Sequence, residues 1–324
     1  MKVIKFGGSS LASAAQLQKV FQIVKADPSR KFVVVSAPGK RSADDIKVTD
    51  LLISYHTAYL KGEDTGPLVE QIVQRYEAIM DDLSMNKDVL IDIRQSIEQL
   101  AALPIENNPH LFDAFLASGE NNNAKLVASF FKDSGLSAVY KNPRDLGIIV
   151  TNEPGNARIL PSSYDKIRQF KDTPDIFVIP GFFGYTKDGE ICTFSRGGSD
   201  ISGSIVAAGV QADLYENFTD VDGIFVAHPG IVKDPKTIKE LTYREMRELA
   251  YAGFAVFHDE ALMPAYKANI PVVIKNTNNP SHPGTLITTK RTADHEPVVG
   301  IASDQNFANI YISKYLMNRE LGFG

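Results

Sequence analysis

A short glycine-rich stretch near the N-terminus, Lys5-Phe6-Gly7-Gly8-Ser9-Ser10, has the composition of an anion-binding turn. It follows the hydrophobic residues Val3 and Ile4 and precedes a run with helical spacing, so two glycines stand where a strand turns into a helix. Backbone N–H groups in a tight turn, the N-terminus of a helix and a nearby ammonium group are together suited to bind phosphate. The same residues also fit a plain strand–turn–helix connection without a ligand.

A second glycine-rich stretch, Arg196-Gly197-Gly198-Ser199-Asp200, precedes a run of small residues at 201–210. Like the first, it contains a Gly-Gly pair followed by Ser, and it introduces a predicted helix. Lys5 stands before the first pair and Asp200 follows the second, which makes the combination more specific than either loop alone. Ligands of open α/β sheets bind where such loops follow the carboxyl ends of strands, so we expect both loops at one edge of a sheet.

Strand and helix patterns alternate along most of the chain and predict a mainly parallel sheet with helices on both faces, an open three-layer α/β/α sandwich. The run from Phe32 to Ala37 (FVVVSA) is typical of a strand that is buried on both faces. Further strands are predicted at residues 3–6, 138–140, 148–151, 176–180, 191–194, 213–218, 271–275 and 285–288.

Two regions depart from this alternation. Residues 48–116 lack strand patterns and predict a helical excursion after the second strand. Residues 112–132 predict a long helix that is interrupted at Ser118-Gly119-Glu120. At the other end, residues 299–302 and 308–312 predict short strands, and the tail is too short to bury a core of its own.

Composition limits the classes of function. The 324 residues are 44% hydrophobic and 23% charged, which suffices for a large α/β core. The net charge of −5, without a basic cluster, argues against nucleic acid or an anionic membrane as partner. The single cysteine, Cys192, excludes an internal disulfide and a cysteine-based metal site and favours a cytoplasmic setting. No apolar run is long enough to predict a membrane span.

The two glycine loops, together with Ser118-Gly119-Glu120 and Thr219-Asp220-Val221-Asp222-Gly223-Ile224, resemble the motif set of the aspartate kinases within the amino acid kinase family. The resemblance covers residues 1 to about 290. It implies the amino acid kinase fold, with a catalytic domain over 1–295 divided into an aspartate-binding lobe (about 1–200) and an ATP-binding lobe (about 201–295). Residues 296–324 resemble the start of an incomplete ACT regulatory domain.

The resemblance implies ATP-dependent phosphorylation of the side-chain carboxylate of L-aspartate, the first step of lysine, threonine and methionine biosynthesis. ATP is expected with Mg²⁺ as co-substrate, no protein metal site is expected, and the family suggests a homodimer. The implied catalytic residues are Lys5 and Asp200, and the implied aspartate-binding residues are Ser36, Thr49, Glu120, Arg196 and Ser199. The implied ATP-binding residues are Lys5, Gly7, Gly8, Ser9, Gly197, Gly198, Thr219, Asp220 and Phe225.

This chemistry suits the residue types. A carboxylate acceptor is already ionised at neutral pH, since its ordinary pKa is about 4, so no general base is needed. The task is to align two anions and to stabilise charge on the transferring group. Lys5 suits the phosphoryl oxygens, the guanidinium of Arg196 suits the α-carboxylate of the acceptor, and Glu120 suits its α-ammonium.

The chain departs from the family pattern at His228-Pro229-Gly230 and at Ala255, where many members carry Asp-Pro-Arg and Lys. Lys275 and Lys233 are alternative sources of positive charge near the nucleotide. Two other functions stay open from the sequence alone. One is a kinase of the same fold acting on glutamate, N-acetylglutamate, carbamate or a nucleoside monophosphate, and the other is a non-catalytic amino-acid sensor.

Overall fold

An eight-stranded sheet lies at the centre of the molecule. The computed structural model describes residues 1–195, 197–251, 259–291 and 298–302. The strand order is β3-β4-β2-β1-β7-β9-β10-β8, and the first six of these strands are mutually parallel. Strand β10 pairs antiparallel with β9, and β8 runs parallel to β10. A separate hairpin is formed by β5 and β6.

The strands are short, as expected for a sheet of this size. Their bounds are β1 Lys2–Phe6, β2 Arg30–Val35, β3 Ala138–Tyr140, β4 Ile176–Pro180, β5 Phe183–Tyr185, β6 Ile191–Thr193, β7 Leu214–Thr219, β8 Glu240–Thr242, β9 Val272–Asn276 and β10 Thr285–Thr288.

Helices connect the strands and carry the two outer layers. Their bounds are α1 Ala14–Lys25, α2 Val48–Leu60, α3 Gly66–Asp82, α4 Asp88–Glu98, α5 Leu111–Asp133, α6 Pro143–Leu146, α7 Ser162–Arg168, α8 Gly198–Val210, α9 Tyr243–Tyr251 and α10 Asp259–Lys267. Two single turns of 3₁₀ helix lie at Gly8–Leu11 and Gln99–Ala102.

Successive side chains of the central strands pack alternately into two hydrophobic cores, one on each face of the sheet. On one face, Ile4 and Val33 pack among side chains of α1 to α5. On the other face, Val3 and Val34 pack among side chains of α6 to α10. Since successive side chains of a strand point to opposite faces, a segment buried on both faces must be apolar at every position, as residues 32–35 of β2 are. The predicted three-layer sandwich is confirmed, and so is the helical excursion, which forms α2 to α4 and leads into α5.

Helix α5 corrects one prediction, because it runs without interruption through Ser118-Gly119-Glu120. Gly119 is needed there for packing rather than for a break. A Cβ atom at this position would lie 3.0 Å from the Cβ of Ala37 and 3.1 Å from the Cδ1 of Leu52. The glycine thus allows α5 to lie close against α2 and the loop after β2, which compensates for its low helix propensity.

Other differences concern short segments. The sequence did not predict β8, and residues 148–151 form only isolated bridges, from Ile149 to Tyr185 and from Val150 to Ile159. Residues 299–302 were predicted as a strand, but they lie outside regular secondary structure. Ile301 N–H nevertheless donates to the carbonyl of Val226 at 2.8 Å. The predicted strand at 308–312 falls outside the described residues.

Within the described part of the chain, no helix combines the length and the apolarity that a membrane crossing requires.

Candidate active site

The carboxyl ends of four neighbouring parallel strands, β4, β2, β1 and β7, meet at one edge of the sheet. Their next residues are Gly181 after β4, Ser36 after β2 and Gly7 after β1, while β7 ends at Thr219. Three backbone hydrogen bonds continue the ladder beyond the strands, namely Gly7 N–H to Phe218 O, Ser36 N–H to Phe6 O and Gly181 N–H to Val35 O. The loops that the sequence singled out therefore lie side by side, as the parallel topology requires.

Lys5 and Asp200 form the charged centre of this edge. The Nζ atom of Lys5 lies 2.6 Å from Oδ1 of Asp200, and the two side chains are 9% and 21% exposed. Lys5 comes from β1 and Asp200 from the first turn of α8, so the ion pair joins the two glycine loops. The carboxylate fixes the ammonium group in position and leaves its other N–H bonds available for an anion.

Asn217, which the sequence analysis missed, supports this ion pair. It is the direct partner of Lys5 across the β1–β7 ladder and is fully buried. Its Nδ2 atom donates to Oδ1 of Asp200 at 2.8 Å and to the hydroxyl of Tyr215 at 3.1 Å. That hydroxyl in turn donates to the carbonyl of Asp200 at 3.1 Å. Strand β7 thus orients Asp200 through both its side chain and its main chain.

The first glycine loop is packed backbone to backbone against the loop after β2. The N–H of Gly39 donates to the carbonyl of Gly8 at 2.9 Å. A Cβ atom on Gly39 would lie 2.6 Å from the carbonyl carbon of Gly8, so this contact requires glycine at position 39. A Cβ atom on Gly7 would lie 3.4 Å from Nζ of Lys5, which places this glycine beside the ammonium group. Ser9 follows, half-buried, in the 3₁₀ turn.

The second glycine loop forms the N-terminus of α8. Gly197 caps the helix with a left-handed φ of 74°. A Cβ atom on Gly198 would lie 2.2 Å from Cδ2 of Phe182, so only glycine fits beneath this ring. Ser199 lies against Gly181, where a Cβ atom would come within 2.8 Å of the serine Oγ. Arg196, predicted to bind the acceptor, lies outside the described residues.

Of the residues predicted to bind the acceptor, Ser36, Thr49 and Glu120 have described positions close to the loop after β2 or in the helices that follow it. Ser36 follows β2, Thr49 lies in the first turn of α2, and both are half-buried. Glu120 comes from the middle of α5, where it is 7% exposed, and its Oε2 atom has no hydrogen-bond partner. Burial raises the pKa of its carboxyl group to about 7. A hydrogen bond from the backbone of Ala37 lowers this pKa but does not outweigh the effect of burial. A buried carboxyl group of this kind is suited to pair with an incoming cation.

Arg75 of α3, also missed from the sequence, fixes the loop after β2 from beneath. Its guanidinium is 5% exposed. It donates to the carbonyl of Gly39 at 2.8 Å and to that of Ile46, and it lies 3.1 Å from Oδ2 of Asp45. Since Gly39 also contacts Gly8, Arg75 indirectly positions both the loop after β2 and the first glycine loop.

We expect Arg75→Met to lower the free energy of unfolding by about 2–4 kcal/mol, because the buried carbonyl of Gly39 and the partly buried carbonyl of Ile46 lose their donor. We also expect the KM for the acceptor to rise several-fold, since the loop that carries Ser36 loses its support. Thermal unfolding and steady-state kinetics measure the two effects. Arg94→Met is the matched control, because Arg94 on the neighbouring α4 forms only exposed ion pairs, with Glu70 and Glu98. Equal effects of both substitutions would contradict this role for Arg75.

The expected nucleotide contacts follow β7. Thr219 is half-buried at the strand end, and Asp220 beside it is exposed. The loop is fixed from behind, since Asp222 accepts hydrogen bonds from the side-chain amides of Asn276 and Asn279. Phe225 is half-buried, and its backbone forms an isolated β-bridge with Thr237. Its side chain packs against the core that the sheet forms with α6 to α10.

The alternative cations do not join this site. Lys275 pairs in register with Phe218 and lies with its Nζ atom 5.7 Å from that ring, on the face of the sheet opposite to Asn217. Burial lowers the pKa of Lys275. Lys233 is exposed in the loop after β7, as is His228. Ala255, the other point of departure from the family pattern, lies outside the described residues.

Comparisons with known proteins agree with this geometry. A family model described as "Amino acid kinase family" matches residues 1–276. Aspartokinase 3 of Bacillus subtilis is 57% identical over 324 residues, which are 100% of this chain and 71% of that protein. The chloroplastic aspartokinase 1 of Arabidopsis thaliana is 29% identical over 99% of this chain and 58% of its own length.

Solved structures give the same result. Aspartate kinase of Clostridium acetobutylicum superposes with a TM-score of 0.82 at 38% identity, covering 93% of this chain and 66% of that one. Aspartokinase III of E. coli in complex with aspartate and ADP superposes with a TM-score of 0.78 at 26% identity, covering 90% of this chain and 65% of that one. The chain therefore spans 58–71% of the length of these relatives. From the family match and the full-chain identity, the protein belongs to the amino acid kinase family, among its aspartokinases.

Proposed function

We propose that this chain transfers the γ-phosphoryl group of ATP to the side-chain carboxylate of L-aspartate, giving 4-phospho-L-aspartate. The observation that carries the proposal is the Lys5–Asp200 ion pair at the junction of two glycine loops, with the unpaired Oε2 atom of Glu120 on α5, whose carboxyl group also contacts the backbone of Ala37. The relatives that bear the name aspartokinase, and the E. coli structure with aspartate and ADP, support the same substrates.

The acceptor carboxylate attacks the phosphorus directly, because it is ionised at neutral pH and needs no base. The enzyme must therefore overcome the repulsion between two anions. Lys5 supplies a positive charge at the transferring group, and Asp200 and Asn217 keep that charge in place before the substrates arrive. Such preorganised charge stabilises the transition state without reorganisation during the reaction.

Backbone dipoles add to the charge of Lys5. The N-terminus of α8, at Gly198 and Ser199, presents helix N–H groups that lack partners within the helix, and its dipole favours negative charge. The turn after β1 adds the N–H groups of Gly8 and Ser9, since the N–H of Gly7, which lies beside the ammonium group, already donates to the carbonyl of Phe218. Together the two loops suit the phosphate chain of the nucleotide, and Thr219 and Asp220 are placed to contact the rest of it.

The acceptor is held by groups of complementary charge. Glu120 receives the α-ammonium, and Ser36, Thr49 and Ser199 offer hydroxyl groups around the loop after β2. Arg196 is assigned to the α-carboxylate from the resemblance of its motif. An acceptor whose amine is acylated would leave Glu120 as a buried carboxylate without a cation, which disfavours N-acetylated substrates.

Mg²⁺ arrives with ATP and neutralises part of the phosphate charge, as Mg²⁺ usually does with few protein ligands. No group of three or more potential metal-ligating side chains (His, Cys, Asp or Glu) exists among the described residues. By the same family resemblance, residues 1–295 form the catalytic unit, and the protein acts as a homodimer.

A coupled assay of ADP release with L-aspartate and Mg-ATP tests the proposal, with hydroxylamine to trap the acyl phosphate as a hydroxamate. We expect both signals with L-aspartate and neither with N-acetyl-L-aspartate. ADP release without a hydroxamate, or turnover with glutamate in preference to aspartate, would overturn the assignment of the acceptor. Calorimetric binding of aspartate without binding of ATP would instead favour an amino-acid sensor.

A further inference from the structure

Helix α5 carries a second buried acceptor atom that faces the proposed acceptor site, on Asn123. This residue is fully buried, and its Oδ1 atom has no hydrogen-bond partner. Oε2 of Glu120, one turn earlier in the same helix, is likewise without a partner. Buried polar atoms are normally paired, because an unpaired one destabilises the fold, so unpaired acceptor atoms on two residues one turn apart indicate a missing donor.

The two side chains lie on one face of α5. Residues three apart in a helix are neighbours, with about 5–6 Å between their Cβ atoms. Both contact the same loop, since the backbone of Ala37 donates to Glu120 and Nδ2 of Asn123 donates to the carbonyl of Ser36 at 2.6 Å. The second bond also fixes the amide of Asn123, because its NH₂ group must face that carbonyl and its Oδ1 atom is then left as a free acceptor.

The chemistry of the missing donor follows from these two atoms. Both are acceptors, and one belongs to a carboxyl group, so an anion such as phosphate or carboxylate is excluded. A single N–H or O–H donor would satisfy only one of them. An ammonium group has three donors and a positive charge, and it can satisfy both at once.

We propose that Oδ1 of Asn123 and Oε2 of Glu120 together bind the α-ammonium of the amino-acid acceptor, which makes Asn123 a residue that determines substrate specificity. The inference rests on the proposed function and adds to it a second ligand for the amine. It also predicts strong selection for a free amine, because an analogue without one leaves two buried acceptors unpaired.

The neighbouring Asn122 provides a matched control. It is the same residue type in the same helix, it is also fully buried, and both polar atoms of its side chain lack partners. One residue along a helix corresponds to a rotation of about 100°, so Asn122 does not share the face of Glu120 and Asn123. Replacement of Asn122 changes buried polarity in the same helix at a side chain that has no hydrogen bond to the loop after β2.

The experiment compares Asn123→Leu with Asn122→Leu, with L-aspartate as substrate and succinate, which lacks the amine, as competitive inhibitor. For Asn123→Leu we expect the KM for aspartate to rise about 10–50-fold, the kcat to change less than about three-fold, and the inhibition constant of succinate to stay within about two-fold. Asn122→Leu should leave all three values unchanged. Asn123→Ser, which keeps a small polar side chain, provides a second variant should the leucine variant fold poorly.

Three outcomes overturn the inference. They are an unchanged KM for aspartate, an equal loss of aspartate and succinate affinity, or the same loss in the Asn122 variant. A wild-type protein that binds aspartate in calorimetry but does not phosphorylate it contradicts the proposed function alone. In that case the calorimetric comparison of aspartate with succinate, on wild type and on Asn123→Leu, tests the role of Asn123 without turnover.

Discussion

Replacement of Lys5 by methionine is expected to lower kcat about 10³-fold, equivalent to about 4 kcal/mol of transition-state stabilisation. The KM for aspartate should change less than about three-fold. We expect this division because Lys5 Nζ is held by Asp200 between the two glycine loops, which we propose bind the phosphates, whereas Glu120, the proposed ligand of the acceptor, comes from α5. Steady-state kinetics with each substrate varied in turn measure both constants.

Lys2→Met is the matched control for this experiment. Lys2 lies at the other end of the same strand and also pairs with an aspartate, since its Nζ atom is 2.7 Å from Oδ2 of Asp27. Lys2 is remote from the edge of the sheet where the carboxyl ends of the strands meet. Its replacement should therefore lower stability slightly and leave kcat unchanged. A kcat of Lys5→Met within ten-fold of the wild type would remove the role of Lys5 in phosphoryl transfer.

We expect Asn217 to affect catalysis through Asp200, to which its side chain donates a hydrogen bond. If this residue acts by orienting Asp200, its effect requires the ion pair, so Asn217→Leu should lower kcat in the wild-type background and have little additional effect in Lys5→Met. Non-additivity of this kind is the signature of groups that act as a unit. Additive losses would mean that Asn217 contributes only to folding.

The sequence predicted the parts of this fold that local pattern determines. Residues 32–35 of β2 are apolar at every position because this part of the strand is covered on both faces, and that requirement is visible without a structure. The glycine loops were visible for a similar reason, since a tight turn and a close approach of backbone exclude larger side chains. At Gly39 and Gly198 the structure identifies the atoms that exclude them.

What was missed depends on register and on contacts between distant segments. Asn217 reads as an ordinary polar residue in a strand until the β1–β7 pairing places it opposite Lys5. Arg75 lies 36 residues from Gly39, in an amphipathic helix where a charged residue is normally solvated. Gly119 suggested a break in α5, because helix propensity is local whereas the packing against Ala37 and Leu52 that overrides it is not.

Glu120 connects substrate binding to pH in a way that can be measured directly. The free enzyme holds this carboxyl group with a pKa raised to about 7 by burial, and only the carboxylate can pair with the α-ammonium. Affinity for aspartate should therefore fall as the pH falls, by about ten-fold between pH 8 and pH 6, while kcat changes little. Aspartate itself keeps the same charges across this range. An affinity that is flat in this interval would contradict the assignment.

Glu120→Gln should weaken aspartate binding about 10²-fold and remove this pH dependence, because the amide is neutral throughout. The same substitution should raise the stability of the unliganded protein although it weakens binding. The folded state binds the proton of Glu120 more tightly than the unfolded state does, so the wild-type protein loses stability as the pH rises from about 4.5 to about 7. The unliganded variant should then be more stable than the wild type at pH 8, by up to about 3 kcal/mol, and the difference should shrink at pH 5.

Thermal unfolding at the two pH values tests this, with Glu98→Gln as control, because Glu98 is an exposed residue of α4 whose side chain is 54% accessible. Saturating aspartate should reverse the order of the two proteins at pH 8, since the ligand stabilises only a protein that binds it. A variant that is less stable than the wild type at pH 8 would mean that the carboxylate is paired in the free enzyme. A substitution that raises stability and weakens binding indicates a group that is unpaired in the free protein and pairs with the ligand. The structural ion pair of Arg30 and Glu216 is expected to behave differently. Removal of either of these partners should destabilise the protein at every pH between 5 and 8.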